Sequence, residues 1–220
     1  MNDQGVSIKQ FKNIQEISFF FNHNFKALID IPIGLGSKTI YRKVDQFLRN
    51  KLSKNYKSSV FNTPNRAAVY AEDYLNSRKV NLHETKKSVS IQAWNICPKI
   101  KEIDTFLTKH FSTKISLIES HPELCFQELN NQTPLQFKKN CKEGVQERLQ
   151  ILSKFDKNSF IYFNNFVDNS KRSDVKKDDI IDSMGLAYCL KYSKKLEFIS
   201  SSEYPYDECN IEMKIAYPVL

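Results

Sequence analysis

Phe25-Lys-Ala-Leu-Ile-Asp30-Ile-Pro-Ile-Gly-Leu35 is the segment that best indicates the fold class. Its apolar run from Ala27 to Ile31 is too short for a helix and rich in branched side chains, which predicts a strand buried on both faces. Pro32 has no amide hydrogen, so a central strand ends there, and Gly34 lets the backbone turn away. Asp30 is therefore predicted at the carboxyl end of a strand, where open α/β sheets bind ligands, unless it only caps the turn.

A second stretch, Lys114-Ile-Ser-Leu-Ile-Glu119-Ser-His121-Pro-Glu123, repeats this arrangement. An apolar strand ends at Glu119, and Pro122 begins a helix that runs through Leu129. If the two strands are parallel neighbours, Asp30 and Glu119 come together at one edge of the sheet. His121 is then a phosphate contact or a second donor beside the carboxylates, or it is an ordinary solvated turn histidine.

The stretch Asp178-Asp179-Ile-Ile-Asp182-Ser-Met-Gly predicts a helix that reaches about Tyr192, with Ile181, Met184 and Tyr188 on its packed side. Asp179 and Asp182 are three residues apart and so share a face. Acidic residues in a first helical turn are ordinary, because they interact favourably with the positive end of the helix dipole. Their functional interpretation depends on the carboxylates predicted at the two strand ends.

Cationic residues follow the first strand. Ser37 is predicted to cap a helix to about Lys54, on which Arg42, Asp45 and Arg49 are adjacent, either as a surface ion-pair ladder or as a basic rim for phosphates. Arg66 is predicted beside a helix N-terminus with Thr63 as cap, a place where anions bind. Lys99 is predicted outside on a helix that Pro98 opens.

The remaining elements are predicted from shorter patterns. Gly5 to Phe11 alternates as a half-exposed strand does, and Glu212 to Tyr217 alternates like a final strand. A short helix follows from Ile14 to Phe21. Ser88 to Trp94 is predicted to be irregular, and Val145 to Phe155 to be a helix with Arg148 exposed.

Composition narrows the class of protein. The 220 residues include 16 Phe and 10 Tyr, which is typical of a globular domain. A net charge of +8 favours a polyanionic partner, although a basic surface also serves solubility. No apolar run approaches a membrane span, and the start lacks the layout of a signal peptide. Five scattered cysteines without a Cys-x-x-Cys pair predict free thiols in the cytoplasm and no zinc site.

Taken in order, these motifs resemble one known pattern. The series consists of Asp30-Ile-Pro-Ile-Gly-Leu35, Arg42 with Asp45, Val60-Phe61 through Pro64 and Arg66, Gln92-Ala-Trp-Asn-Ile-Cys-Pro-Lys99 with Glu102 and Asp104, Glu119-Ser-His-Pro-Glu123, Gly144 with Arg148, and Asp178-Asp179-Ile-Ile-Asp182. It is similar to the domain of unknown function 429 family, predicted nucleases of the ribonuclease-H-like fold found mainly in prokaryotes. The resemblance runs from about residue 25 to the C-terminus, and the last Asp-x-x-Asp also resembles the resolvase branch of that fold.

The resemblance implies an α/β domain over residues 1–220, with a mixed sheet flanked by helices and a helical insertion at about 37–110. It implies that Asp30, Glu119, Asp179 and Asp182 are the catalytic and metal-binding carboxylates. Oxygen ligands of this kind suit Mg²⁺ or Mn²⁺, two of which activate a water and stabilise the leaving oxygen. The expected nucleic-acid contacts are Arg42, Arg49, Arg66, Lys99 and His121.

Family members usually begin with a strand that carries a Gly-x-Asp-Gly-like motif and a metal-binding Asp. Nothing before Gly5 matches that motif, so the sheet is expected to be N-terminally incomplete and the site to lack one carboxylate.

Three functions remain open from the sequence. The first is a cytoplasmic metal-dependent nuclease that hydrolyses phosphodiester bonds. The second is a non-catalytic nucleic-acid-binding or interaction module that has lost a metal ligand. The third is an enzyme that acts on the phosphate of a small molecule. Binding to nucleic acid that depends on salt, without cleavage, would select the second function.

Overall fold

The chain divides into two compact units in a computed structural model that describes residues 6–21, 24–109, 115–171 and 175–220. The α/β unit consists of Asn13–Ser120 and Glu197–Ala216. The helical unit is built around His121–Leu196 and includes residues 6–12 and Tyr217–Leu220. The prediction of one domain over residues 1–220 stays a prediction, and residues 1–5, with Gly5 of the first predicted strand, lie outside the described residues.

The first segment of the α/β unit, Asn13–Ser120, contains two strands with helices between them in the sequence. The elements of this segment are α1 (Ile14–Phe20), β1 (Phe25–Ile29), α2 (Val44–Lys51), a 3₁₀ turn (Lys54–Ser59), α3 (Arg66–Val69), α4 (Tyr74–Thr85), α5 (Ile91–Lys109) and β2 (Ile115–Glu119). Apolar side chains of α1, α5, β2 and the turn after β1 form one core cluster, made of Ile14, Ile33, Ile103, Phe106 and Ile115.

β1 and β2 are parallel neighbours, which was the condition for Asp30 and Glu119 to come together. Their register pairs Phe25 with Ile115 and Ile29 with Glu119. Two details of the first strand differ from the prediction. The strand is Phe25–Ile29 rather than Ala27 to Ile31, and its side chains are half-buried or exposed rather than buried on both faces. It has a partner only on the β2 side among the described strands, so it is an edge of the sheet.

The helix predicted from Ser37 begins only at Val44. The Ser37 hydroxyl oxygen accepts weakly from the amides of Thr39 and Ile40, at 3.4 and 3.3 Å, and the Ser37 amide donates to the Ile40 carbonyl at 2.8 Å. Ser37 therefore closes a tight turn and caps no helix. Gly36 fits this turn because a Cβ there would lie 2.9 Å from the Ile40 oxygen.

Helix α5 is longer than predicted, because Pro98 lies inside it and the stretch before Pro98 is helical from Ile91. Ala93, Cys97 and Ile100 are buried on one face of α5. Their packing offsets the hydrogen bond that a proline removes from a helix interior. The helix at Arg66 is also capped differently: Asn65, not Thr63, accepts the Ala68 amide at 2.9 Å.

The helical unit consists mainly of α6 (Pro122–Leu129), α7 (Lys142–Ser153), α8 (Ser159–Asn169) and α9 (Lys177–Tyr192). Helix α6 has the predicted bounds, and α9 ends at the predicted residue with Ile181, Met184 and Tyr188 buried. Gly185 allows α9 to approach α6 closely, since a Cβ there would lie 2.6 Å from the Phe126 ring. Helix α7 begins earlier than predicted, at Lys142 rather than Val145.

The last two strands, β3 (Lys195–Ser200) and β4 (Lys214–Val219), form a second two-stranded sheet. The predicted final strand, Glu212 to Tyr217, is therefore shifted by two residues. Residues 6–11 form no strand, in contrast to the alternating pattern of that segment. Within the described parts of the chain, no helix has the length and apolar character needed to cross a membrane. The protein is α/β.

Candidate functional site

Arg42 joins the two strand ends of the α/β unit. Its guanidinium donates from Nε to Asp45 Oδ1 at 2.8 Å and from Nη2 to Glu119 Oε1 at 2.5 Å. Nη1 donates to the carbonyl oxygens of Ile33 and Gly34 at 2.6 and 2.7 Å. The Arg42 side chain is only 4% exposed. These contacts are those of the ion-pair alternative, and phosphate binding by Arg42 stays a prediction.

Both oxygens of Glu119 have protein donors. Oε1 accepts from Arg42, and Oε2 accepts from the Ile33 amide at 2.7 Å. Burial raises the pKa of Glu119 to about 7, although the Arg42 charge acts to lower it. Burial also acts to lower the pKa of Arg42, but the charges of Glu119 and Asp45 outweigh it and raise that pKa. Glu119 is thus held as a partner of Arg42.

Arg66, like Arg42, pairs with two carboxylates. It donates to Asp104 Oδ2 and, at 2.6 Å, to Asp207 Oδ2. Asp207 also accepts the Leu35 amide at 3.0 Å. Burial lowers the pKa of Arg66, but the two carboxylate charges outweigh it and raise the pKa. Arg66 therefore ties α3, α5 and the segment before β4 to the turn after β1.

Asp207 is the residue of this cluster that the sequence analysis missed. Its side chain is fully buried, and its Oδ1 accepts the amides of Cys209 and Ile211 at 2.8 and 2.9 Å. An aspartate that accepts amides two and four residues later is typical of a turn. The only sequence signal was the polar stretch around it, which does not reveal a partner 141 residues away.

Arg49 differs from Arg42 and Arg66, because both of its partners are neutral. Nε donates to the Val60 carbonyl at 3.0 Å and Nη2 to Asn62 Oδ1 at 2.7 Å. Arg49 lines a cavity of about 290 Å³ between α2, the Gly36 turn, the segment after the 3₁₀ turn and α4. We call this cavity the Arg49 pocket.

The Arg49 pocket is polar and mostly basic. Its charged lining residues are Arg42, Lys43, Arg49, Lys87 and Asp45, and its other polar lining residues are Ser37, Tyr41, Gln46, Asn62, Thr63, Asn65, Asn81 and Thr85. Lys43 pairs with Glu203, whereas no carboxylate of the described residues pairs with the ammonium of Lys87. The charges of Arg49 and Lys87 are therefore not neutralised by the protein.

Asp30 lies one residue past the end of β1 and is exposed. Its neighbour Ile29, rather than Asp30, is in register with Glu119, and the Ile29 carbonyl accepts the Ser120 amide at 2.9 Å. Because side chains alternate along a strand, continuation of β1 would direct Asp30 to the opposite face from the buried Glu119. The two strand ends are adjacent, as predicted, but one carboxylate is exposed and the other is buried.

The two last-helix carboxylates belong to the helical unit. Asp179 is exposed in the first turn of α9, and Asp182 is buried and accepts a hydrogen bond from Lys139 Nζ. His121 is the half-buried N-cap residue of α6, and its side chain makes no capping hydrogen bond. Convergence of Asp179 and Asp182 with the strand-end carboxylates stays a prediction.

Arg148 is fully buried, which corrects the expectation that it is exposed. Nη2 donates to Glu123 Oε2 at 2.6 Å, and Nη1 donates to the carbonyls of Gly144 and Phe137 at 3.0 and 3.1 Å. A Cβ on Gly144 would lie 1.9 Å from the Lys138 carbonyl oxygen, so only glycine fits there. Gly144 and Arg148 are structural in the helical unit.

Lys99 is exposed on α5 and pairs with Glu102 at 3.0 Å.

A divalent metal ion does not fit the described carboxylates as they are placed. Across residues 6–21, 24–109, 115–171 and 175–220, no group of three or more His, Cys, Asp or Glu side chains is positioned to hold one. Glu119 and Asp182 are both engaged by cations of the protein itself. Clustered carboxylates are acceptable in a protein only when cations offset their repulsion, and here arginine and lysine serve that purpose.

The structure is that of an α/β protein with buried arginine–carboxylate clusters and a pocket whose charged lining residues are mostly basic. The family model described as "Protein of unknown function (DUF429)" matches residues 1–193, and the chain belongs to this family. No curated protein and no solved structure matches the chain.

Proposed function

We propose that the chain binds nucleic acid through its phosphates, and that the Arg49 pocket is the contact. The observation that carries this proposal is a guanidinium with only neutral partners in a cavity whose other unneutralised charge, Lys87, is also positive. The net charge of +8 acts in the same direction, because a positive field attracts polyanions from a distance.

The pocket has the chemistry that a phosphodiester needs. Guanidinium and ammonium groups form charge-assisted hydrogen bonds with phosphate oxygens. The amide and hydroxyl side chains around them supply further neutral donors of the kind that position a nucleic-acid backbone. Arg42 has a separate role in this proposal: its contacts with Glu119 and Asp45 hold the turn that shapes the pocket.

A ribonuclease-H-like sheet is part of the proposal. Two observations support it: the parallel pairing of β1 with β2, and the helices that separate these strands in the sequence. The family membership supports it as well, since the motifs that resemble the family include both strand ends.

Metal-dependent phosphodiester hydrolysis is the second candidate function. The observation that favours it is the parallel pairing of β1 with β2, because Asp30 follows β1 and Glu119 ends β2 at the same edge of the pair. Hydrolysis of this kind would need Mg²⁺ or Mn²⁺ as the cofactor, which the described carboxylates as they are placed do not fit. The engagement of Glu119 by Arg42 and of Asp182 by Lys139 makes binding without cleavage the first candidate.

The binding proposal is tested by fluorescence anisotropy with labelled single-stranded DNA and RNA oligonucleotides at several salt concentrations. Replacing Arg49 with alanine should weaken binding and reduce the salt dependence by roughly one counterion. Arg78→Ala is the matched control, because Arg78 has neutral contacts with Ser88 and the Tyr74 ring and lies outside the pocket. A wild-type chain that does not bind, or an unchanged salt slope in Arg49→Ala, would overturn the proposal.

The hydrolysis candidate is tested by incubating the same oligonucleotides with the chain and Mg²⁺ or Mn²⁺. Cleavage that is lost in Asp30→Asn, but kept in the Glu72→Gln control, would establish hydrolysis. If the wild-type chain binds the oligonucleotides but cleaves none of them, hydrolysis is rejected and non-catalytic binding is the function that remains.

A further inference from the structure

A cleft other than the Arg49 pocket lies in the helical unit. None of the predicted site residues lines this cleft. It has a volume of about 690 Å³ and lies between the segment before α7, α7 itself, α8 and the start of α9. This volume falls within the range of ordinary small-molecule sites, about 300–1,000 Å³. We call it the α7–α8 cleft.

The rim of the α7–α8 cleft is positively charged. Four lysines line it, and Asp178 is its one carboxylate among the described residues. Lys139 is already paired with Asp182. The other three, Lys142, Lys176 and Lys177, are exposed, and none forms an ion pair with a described residue. The rim therefore carries positive charge that an anion can neutralise.

The floor of the cleft is apolar and partly aromatic. Leu149 and Phe163 are buried, and Val145 and Phe160 are half-buried. Phe160 and Phe163 are three residues apart on α8 and so present their rings to the same side. A half-buried ring at the base of a charged cleft is a surface on which a flat ligand can stack.

Three exposed amide side chains also line the cleft. They are Asn140, Gln146 and Asn164, and each offers both a donor and an acceptor. The edge of a nucleobase provides acceptors and donors for these amides, whereas an acyl chain with an anionic head provides none beyond its head. Inorganic phosphate alone would use the rim and leave the apolar floor exposed to water.

We propose that the α7–α8 cleft binds a nucleotide, with the base on Phe160 and Phe163 and the phosphate on the lysine rim. The ligand is a free mononucleotide or the terminal nucleotide of a single strand, which share this chemistry. The inference does not rest on the proposed function, because the cleft and the Arg49 pocket belong to different units and share no residue.

Isothermal titration of the full chain with AMP, adenosine and inorganic phosphate tests the site. AMP should bind with a stoichiometry of one, and adenosine and phosphate should each bind at least about tenfold more weakly, since each lacks half of the contacts. Failure of both AMP and a single-stranded hexanucleotide to bind would overturn the proposal. Binding of AMP identifies a free nucleotide. Binding of the hexanucleotide alone identifies a strand terminus only where the cleft variants below weaken it and Arg49→Ala does not.

Two pairs of variants assign the binding to the cleft. The double variant Lys142→Ala with Lys177→Ala should lower the affinity for the probe that binds by about tenfold or more. The control double variant, Lys154→Ala with Lys157→Ala, lies outside the cleft and should leave this affinity unchanged. Phe160→Leu should weaken binding severalfold, and Phe166→Leu on the same helix should not. Equal effects of the cleft and control variants would overturn the site.

The variants also separate this inference from the proposed function. Arg49→Ala should leave the affinity for AMP unchanged. The salt dependence of binding at the Arg49 pocket is judged from Arg49→Ala alone and not from the variants of the cleft lysines. AMP binding that is lost in Arg49→Ala but kept in the cleft variants would assign the nucleotide to the other pocket and overturn the inference.

Discussion

Arg42 and Arg49 are seven residues apart and line the same pocket, but their surroundings are opposite. The guanidinium of Arg42 faces two buried carboxylates, whereas that of Arg49 faces a carbonyl and an amide oxygen. Arg42 thus uses its charge to hold the fold, whereas no described carboxylate neutralises the charge of Arg49, which the proposed function assigns to an external anion. Two arginines in one basic stretch can therefore have opposite surroundings.

Replacement of Arg42 should lower the stability of the protein more than the other changes considered below. Arg42→Ala leaves Glu119 and Asp45 buried without their cation, which should lower the free energy of unfolding by about 3–5 kcal/mol. Urea denaturation followed by circular dichroism measures it. Adding Glu119→Gln to Arg42→Ala should recover part of the loss, because one buried charge is removed. A loss below about 1 kcal/mol for Arg42→Ala would mean that Arg42 contributes no more to stability than Arg49 and would contradict the contrast between them.

An intermediate effect is expected from pH. Because the pKa of Glu119 is raised to about 7 in the folded chain, from an ordinary 4.5, the folded state keeps a proton that the unfolded state has released. The contribution to stability is therefore present below about pH 4.5 and is lost as the pH rises to 7, by at most about 3 kcal/mol.

Denaturation curves between pH 4.5 and 7.5 check this sign. Glu119→Gln should remove this part of the pH dependence, because the amide does not titrate. A wild-type chain whose stability rises across this interval more than that of Glu119→Gln would show that Arg42 outweighs burial at Glu119.

The smallest effect on stability is expected at Arg49. Arg49→Ala removes two hydrogen bonds to neutral oxygens and leaves no charge uncompensated, so the free energy of unfolding should fall by about 1 kcal/mol or less. The same urea titration measures it beside Arg42→Ala. A loss as large as that of Arg42→Ala would mean that Arg49 is structural and would remove the contrast between the two residues.

Local contacts of this site were predictable from the sequence, and distant ones were not. Arg42 and Asp45 are adjacent, as their spacing of three indicated, although Arg42 lies before the start of α2 and not on it. The two similar strand ends indicated that β1 and β2 could be neighbours, which they are. The bond from Arg42 to Glu119 spans 77 residues. No spacing rule covers such a distance, so the sequence did not reveal that Arg42 is the partner of Glu119.

Helix starts were mispredicted where a strong local signal competed with packing. Ser37 and Pro98 are ordinary residues at helix starts, yet one closes a turn and the other lies within α5. The apolar spacing of Ala93, Cys97 and Ile100 was a better indicator, because it continues through Pro98. The buried Arg148 was missed for a related reason: charge predicts exposure, and only tertiary structure reveals that Glu123 compensates it.

The shared bonds of Arg42, Asp45 and Glu119 also limit how this protein can evolve. Loss of the arginine leaves two buried acids, and loss of either acid leaves a buried guanidinium with fewer partners. A single substitution at any of the three positions therefore passes through a weakened protein. Related sequences should replace these residues together, so that an apolar residue at position 42 is inherited with a neutral one at position 119. Position 49 has no charged partner among the described residues, so its replacement should not require a second change.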